Sequence, residues 1–142
     1  MRRKDVYEVF DLFAKAKTKA DKVKILQDND SPALRDVCRG SLDKTIIWLL
    51  PKGKVPYEPS TEYSAPATLL KQNRKFAYLI KGGIGPDIIP AKREAIFISI
   101  LEGIHPRDAE LLVSMINKKA PVKGLTRNVV SEAFPGLLKD TK

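Results

Sequence analysis

Apolar residues recur at intervals of three and four along most of the chain, which is the spacing of one face of an α-helix. A second helix is predicted to begin at Thr18, because the apolar rhythm resumes after it and Asp21 occupies the capping-box position. A third is predicted to begin at Ser31-Pro32 and to end at Gly40. The first stripe, which predicts a helix near the N-terminus, consists of Val6, Val9, Phe10, Leu12 and Phe13.

The middle of the chain is less regular. Residues 42–50 are almost entirely apolar, a pattern that fits a buried strand or a helix, and the helical neighbours favour a helix. Residues 51–66 contain Pro51, Pro56, Pro59 and Pro66, so this stretch is predicted to be one long irregular loop. Tyr57 and Tyr63 are the side chains that could fix the loop to the rest of the protein.

Helical spacing returns after the proline-rich loop. Residues 67–81 and 90–104 are predicted to be helices, and His105-Pro106 is predicted to begin another. The last helix is predicted to begin at Thr126. The sequence therefore predicts an all-α protein, a single compact domain over residues 1–142 with seven or eight short helices. The stripe of the helix after His105 consists of Leu111, Leu112, Met115 and Ile116.

Charge adds an expectation about binding partners. The 142 residues include 26 Lys and Arg against 17 Asp and Glu, which gives a net charge of +9. Such an excess is typical of proteins that bind polyanions, although basic protein-binding modules share it. The lone cysteine, Cys38, excludes an intramolecular disulfide and favours a reducing compartment such as a cell interior or a virion.

No targeting or membrane segment is expected. The longest apolar run is residues 46–50, whereas a spanning helix needs about 20 residues. The N-terminal sequence MRRKDVYEVF places Asp5 and Glu8 where a signal peptide requires apolar residues, so no export signal is predicted.

Catalytic chemistry is not indicated by any residue pattern. His105 is the single histidine, and its place before a proline favours a capping or surface role. Cys38 is predicted to be a small buried residue rather than a reactive thiol. The only candidates for the paired carboxylates of a nuclease are Asp108 with Glu110 and Asp108 with Glu102. The sequence therefore predicts no enzyme, no cofactor and no metal ion.

The glycine-rich turn at residues 82–85 invites comparison with a phosphate-binding loop. It follows a predicted helix rather than a strand and lacks the spacing of nucleotide-binding motifs. A helix C-cap followed by a turn is the favoured interpretation. Close approach of this backbone to a DNA phosphate remains an alternative.

Two long segments carry a resemblance to a known family. They are TKADKVKILQDNDSPALRDVCRGSLDKTIIWLLPKGKVP, residues 18–56, and AELLVSMINKKAPVKGLTRNVVSEAFPGLL, residues 109–138. Together they resemble the N-terminal DNA-binding domain of phage-type ATP-dependent DNA ligases, and the resemblance is specific in the last 30 residues or so. The chain is also similar to small proteins of large contractile-tailed bacteriophages, in which a closing AFPGLL segment recurs and which carry no assigned activity.

The resemblance implies how DNA would be held. Ligase domains of this kind grip duplex DNA through its phosphates, and the helix start at Thr126, preceded by Gly124, would present amides and a positive dipole to a phosphate. Capping of its own helix is the other role open to Thr126. The DNA-binding residues implied by the resemblance are Lys17, Thr18, Lys19, Lys123, Gly124, Thr126 and Arg127. Lys118 and Lys119 are added because they lie nearby in the sequence, and Lys81, Gly82 and Gly83 are added because they form a turn that could complete the footprint.

One departure from the ligase pattern shapes the functional expectation. The Lys-x-Asp-Gly motif that carries AMP in ligases does not occur in the sequence. We therefore expect a non-catalytic phage accessory protein that binds double-stranded DNA, intact or nicked, in replication, repair or packaging, inside the infected cell or in the virion. The alternative is a protein-interaction module that docks on a replication, transcription or virion protein through Tyr57, Tyr63 and the proline-rich loop.

Overall fold

The computed structural model describes residues 4–50, 57–60, 68–81 and 87–138. Within these ranges the chain forms seven α-helices and one 3-10 helix, and its extended pairing is limited to a single isolated bridge. The all-α prediction is confirmed. The helices are α1 (Val6–Lys15), α2 (Lys19–Asp28), α3 (Pro32–Leu42), α4 (Leu69–Gln72), the 3-10 helix (Asn73–Tyr78), α5 (Pro90–Gly103), α6 (Pro106–Ile116) and α7 (Arg127–Ala133).

Side-chain caps define the starts of four helices. Thr18, Ser31 and Thr126 each accept a hydrogen bond from the amide three residues ahead, at 3.1, 3.1 and 3.3 Å. His105 caps α6 in a related way, since its Nδ1 accepts from the Arg107 amide at 3.1 Å. All four starts were predicted, and the capping role predicted for His105 is confirmed.

Helix α6 lies at the centre of the packing, in contact with α1, α3 and α5, while α2 joins α1 to α7. The stripe predicted for α6 is buried throughout. In α1 the prediction was wrong at Leu12, which is 38 % exposed. Cys38 is fully buried, as predicted, and burial raises the pKa of its thiol to about 12. No helix in the described ranges has the length and apolar character to cross a membrane.

The prediction of a helix over residues 42–50 was wrong. Helix α3 continues through Gly40 to Leu42, where the buried Asp43 side chain accepts hydrogen bonds from the Thr45 amide and hydroxyl at 2.8 and 2.7 Å. This local turn ends the helix. The chain then extends, and an isolated antiparallel bridge joins Trp48 to Ile80.

Residues 67–81 do not form the single long helix that was predicted. The described part folds as the short helix α4 followed by the 3-10 helix. Side chains three residues apart lie above one another in a 3-10 helix. Asn73, Phe76 and Leu79 are therefore all buried, at 8 %, 6 % and 0 % exposure.

The described part of the proline-rich loop, residues 57–60, is neither helix nor strand. It lies against the end of α5, where the Glu58 amide donates a 2.8 Å hydrogen bond to Oε2 of Glu102 and the Ser60 hydroxyl donates to the Glu102 carbonyl. Tyr57 is partly buried and packs against the core. The rest of the loop, including Tyr63, lies outside the described residues.

Candidate nucleic-acid interface

The two turns that carry the ligase resemblance lie side by side. Gly124 has a φ of +91°, and a Cβ at this position would lie 3.5 Å from Nζ of Lys22 and 3.7 Å from Cε1 of Phe13. The turn before α7 thus rests on the end of α1 and the first turns of α2. A 2.9 Å ion pair between Lys19 and Glu132 joins α2 to α7. Residues 17–19 and 123–126, remote in sequence, therefore belong to one side of the molecule.

Several basic side chains on this side are exposed. We call the exposed lysines of these two turns and of the segment that leads into the second, Lys17, Lys19, Lys119 and Lys123, the basic face. The Lys19–Glu132 pair is more than half exposed on both sides, at 51 % and 57 %, and exposed pairs contribute about 0–1 kcal/mol, so exchanging Glu132 for another anion costs Lys19 little. The lysine side chains of the basic face are therefore open to solvent.

Lys118 plays an internal role. Its Nζ donates hydrogen bonds of 2.8 Å to the carbonyl oxygens of both Gly40 and Asp43, at the end of α3. Its backbone adopts a φ of +58°, the left-handed conformation in which a helix commonly ends. This ammonium stabilises the last carbonyls of α3 and is not placed on the basic face.

Arg127 also donates a hydrogen bond to the C-terminal end of α3. It is half-buried, and its Nη1 donates a 2.7 Å hydrogen bond to the carbonyl oxygen of Leu42. Two of the residues predicted to contact DNA, Arg127 and Lys118, therefore donate to carbonyls at the end of α3, and their contact with DNA stays a prediction. The sequence could not indicate this, because their acceptors lie 75 to 85 residues earlier in the chain.

The start of α7 is a helix end capped by a side chain. The Thr126 hydroxyl accepts a hydrogen bond from the Val129 amide. Thr126 therefore caps its own helix, which is one of the two roles predicted for it. Helix α7 has only 7 residues, which leaves little aligned dipole to attract a phosphate. The full positive charges beside this helix start are carried by the side chains of Arg127 and the exposed Lys123.

The predicted contacts at residues 81–83 are described only in part. Lys81 is exposed, and its amide donates a 3.0 Å hydrogen bond to the Ile47 carbonyl beside the isolated bridge. Gly82 and Gly83 lie outside the described residues, as do the other glycine-rich positions at 84 and 85. Lys81 therefore lies beside the extended segment that contains Ile47 and Trp48.

Two basic residues that the sequence did not single out adjoin the predicted site. Lys22 donates a 3.0 Å hydrogen bond to the Phe13 carbonyl, and its Nζ lies 4.6 Å from the centre of the Phe13 ring. Lys44, directly after the buried Asp43, is exposed at the end of α3. Lys22 lies one helical turn beyond Thr18, and this i, i+4 spacing was the signal that could have found it.

The carboxylates considered for a nuclease do not form a pair. Asp108 is 1 % exposed, and its Oδ1 accepts a 2.9 Å hydrogen bond from the Tyr7 amide at the start of α1. Glu102 instead receives the amide of Glu58. Asp108 therefore contributes to the contact between α1 and α6 and faces no solvent-filled site.

Comparison with known families identifies the family of the chain but assigns no function to it. A family model described as a family of unknown function (DUF6433) matches residues 9–121, most of the chain. The matched range includes Lys17, Lys19 and Lys119 and stops just before Lys123. No curated protein matches the chain in sequence.

Proposed function

The chain belongs to the DUF6433 family, and we propose that it is a non-catalytic protein that binds double-stranded DNA through phosphate contacts, independently of base sequence. The observation that carries this proposal is the meeting of two basic turns at Gly124, which places exposed lysines from distant parts of the chain on one face. The net charge of +9 gives the whole protein the sign that attracts a nucleic acid.

The chemistry of the basic face favours phosphates over base edges. Lysine is a flexible point charge, whereas sequence readout relies on planar, bidentate donors such as Arg, Asn and Gln. The most prominent arginine of this region, Arg127, already donates to Leu42. Phosphate contacts position a protein on DNA and release counterions, so affinity should fall steeply with salt and vary little with sequence.

The resemblance to ligase DNA-binding domains supports two finer proposals. A nicked duplex would be preferred over an intact one, and the protein would serve phage replication, repair or DNA packaging as an accessory factor. Such a role places it in the cytoplasm of the infected cell or in the virion. Each of these rests on the resemblance alone, whereas phosphate binding rests on the basic face.

The experiment that tests the proposal is fluorescence anisotropy with a labelled 20-base-pair duplex, intact and nicked, over a series of salt concentrations. A triple variant of the basic face, with Lys17, Lys119 and Lys123 changed to Gln, is compared with a matched control. The control changes three exposed lysines elsewhere, Lys24, Lys75 and Lys92, to Gln and so removes the same charge.

The two triple variants give distinct expected results. The basic-face variant should lower the slope of log K against log salt by about 0.9 for each lost phosphate contact, while the control should change it little. Equal losses in the two variants would show that total charge, not this face, drives binding. No binding to any duplex at low salt would overturn the proposal.

A protein-interaction module is the second candidate. The exposed apolar side chains of Ile47 and Ile89, at 47 % and 68 % exposure, favour it. Tyr57, the residue first expected to form its surface, instead packs against the core. If duplex binding fails, an affinity capture with the Ile47→Ser and Ile89→Ser double variant as control tests whether these side chains recruit a partner.

A further inference from the structure

A cavity of about 280 Å³ opens beside the C-terminal half of α3. This is slightly less than the roughly 300 Å³ at which sites for drug-sized ligands begin, so it suits one planar ring system and little more. The cavity combines aromatic, acidic and basic groups. Its chemically important lining residues are Asp36, Arg39, Trp48, Asn73, Arg74 and Phe76.

The aromatic side of the cavity is held in place by the fold. The rings of Trp48 and Phe76 are perpendicular, with centroids 5.6 Å apart and an interplanar angle of 86°. The indole Nε1 of Trp48 donates a 3.0 Å hydrogen bond to the Gly40 carbonyl, which fixes the orientation of the ring. A fixed, half-exposed indole at a cavity wall is a stacking platform for a nucleobase.

The polar side of the cavity offers both an acceptor and a donor. Oδ2 of Asp36 accepts a 2.7 Å hydrogen bond from Asn73, which orients the carboxylate and leaves its other oxygen available. The Nε atom of Arg39 is buried, and no acceptor within the described ranges is in hydrogen-bond contact with it. Its nearest ion-pair contact is Oδ2 of Asp43, at 3.7 Å. The Arg39 side chain is 37 % exposed, so its terminal guanidinium N–H groups, and not the buried Nε, are the donors that a ligand in the cavity can reach. Such a ligand would accept from Arg39 and donate to Asp36.

The cavity adjoins the segment that carries the basic face. Trp48 and Lys118 donate to the same carbonyl oxygen, that of Gly40. Lys119 follows Lys118 directly and is exposed. The backbone that carries Lys119 is therefore linked to the cavity wall, and the exposed guanidinium of Arg74, which lines the cavity, is available to a phosphate of DNA bound there.

We propose that this cavity binds a single unstacked cytosine of DNA that is held on the basic face. The cytosine amino group donates to Asp36, its ring nitrogen or O2 accepts from Arg39, and its ring stacks on Trp48. Thymine presents an oxygen where cytosine presents the amino group, so the carboxylate of Asp36 repels it. This inference rests on the proposed duplex binding and adds the recognition of an unpaired base.

Trp48 provides the measurement, because it is the only tryptophan in the chain. Three labelled duplexes are compared: fully paired, with a single-cytosine bulge, and with a single-thymine bulge. Anisotropy gives the affinities and Trp48 emission reports stacking. The cytosine bulge should bind about tenfold more tightly than the paired duplex and quench Trp48, and the thymine bulge should do neither.

Asp36→Asn makes the test specific. If the new amide oxygen accepts from Asn73, its NH₂ group faces the cavity, and the preference should reverse from cytosine to thymine. Arg74→Gln, at an exposed position where misfolding is not expected, should reduce the advantage of the cytosine bulge about threefold or more while paired-duplex binding stays the same.

The outcomes separate the inference from the function on which it rests. Equal affinity for all three duplexes with unchanged Trp48 emission would overturn the base-binding inference and leave duplex binding standing. A preference for the cytosine bulge that both variants leave intact would overturn the assignment to this cavity. No binding of any duplex would overturn the proposed function and the inference together.

Discussion

Arg127 donates a 2.7 Å hydrogen bond to the carbonyl oxygen of Leu42, the last residue of α3. The carbonyls at the end of a helix carry partial negative charge and lack partners within the helix. Lys118 brings a second cation to the same helix end, through the carbonyls of Gly40 and Asp43. Part of the positive charge next to the basic face therefore stabilises the fold, and substitutions there have to be chosen accordingly.

Replacing Arg127 with Gln should lower the free energy of unfolding by about 1–3 kcal/mol, because the Leu42 carbonyl loses a charged donor. Lys123→Gln, an exposed position in the same turn, should change stability by less than about 0.5 kcal/mol. Urea unfolding followed by circular dichroism measures both. Equal stability of the two variants would mean that the contact with Leu42 contributes nothing.

Lys118 and Lys119 form a matched pair, since they are adjacent and chemically identical. Lys118→Ala should destabilise the fold by about 2 kcal/mol, because two carbonyls lose their donor. Lys119→Ala should leave stability unchanged and lower the salt slope of DNA binding by about 0.9. The reverse pattern would place Lys118, and not Lys119, on the DNA.

Gly40→Ala should destabilise the protein by about 1–3 kcal/mol. The new Cβ would lie 2.6 Å from Cζ2 of Trp48 and 2.8 Å from Sδ of Met115, so the indole ring has to move. Trp48 emission should shift as the ring becomes more exposed. Ser41→Ala is the control, because the buried Ser41 hydroxyl has no hydrogen-bond partner in the described part of the chain and its loss should not destabilise. Native-like emission in Gly40→Ala would show that the cavity wall tolerates a methyl group.

Most helices could be predicted from the sequence because their ends are local. Thr18, Ser31 and Thr126 accept from amides three residues ahead, and a contact of that range is visible in the order of residues. The errors occurred where a distant contact decides the local structure. Trp48 pairs with Ile80, which favours an extended chain over the helix expected at residues 42–50.

In the candidate site, too, local features could be predicted from the sequence and distant contacts could not. The sequence indicated that residues 17–19 and 123–127 are basic turns next to helix starts, and the structure brings these turns together. It could not indicate that Arg127 turns inward, since Leu42 is 85 residues away. The cavity beside α3 was missed altogether, because Asp36 and Asn73 become neighbours only through the packing of α3 against the 3-10 helix.

Asp108 is a carboxyl buried at the contact between α1 and α6. Burial raises its pKa to about 7, and the nearby carboxylates of Asp5 and Glu8 act in the same direction. The Tyr7 amide, which donates to it, and the Arg107 guanidinium oppose the shift. The folded protein therefore holds a proton on Asp108 at pH values where an unfolded chain, with a carboxyl pKa of about 4, does not.

Because the folded state binds this extra proton, the contribution of Asp108 to stability is greatest below about pH 4 and falls as the pH rises from about 4 to 7. Asp108→Asn keeps an oxygen that can accept from the Tyr7 amide but cannot ionise. Its free energy of unfolding should therefore rise relative to that of the parent protein by about 2–4 kcal/mol as the pH is raised from 4 to 8. Urea unfolding curves of both proteins at each pH measure this difference. Glu110→Gln, an exposed neighbour on α6, should show no such difference. If Asp108→Asn instead loses stability relative to the parent as the pH rises, the carboxylate is ionised in the folded protein and the Tyr7 amide stabilises its charge.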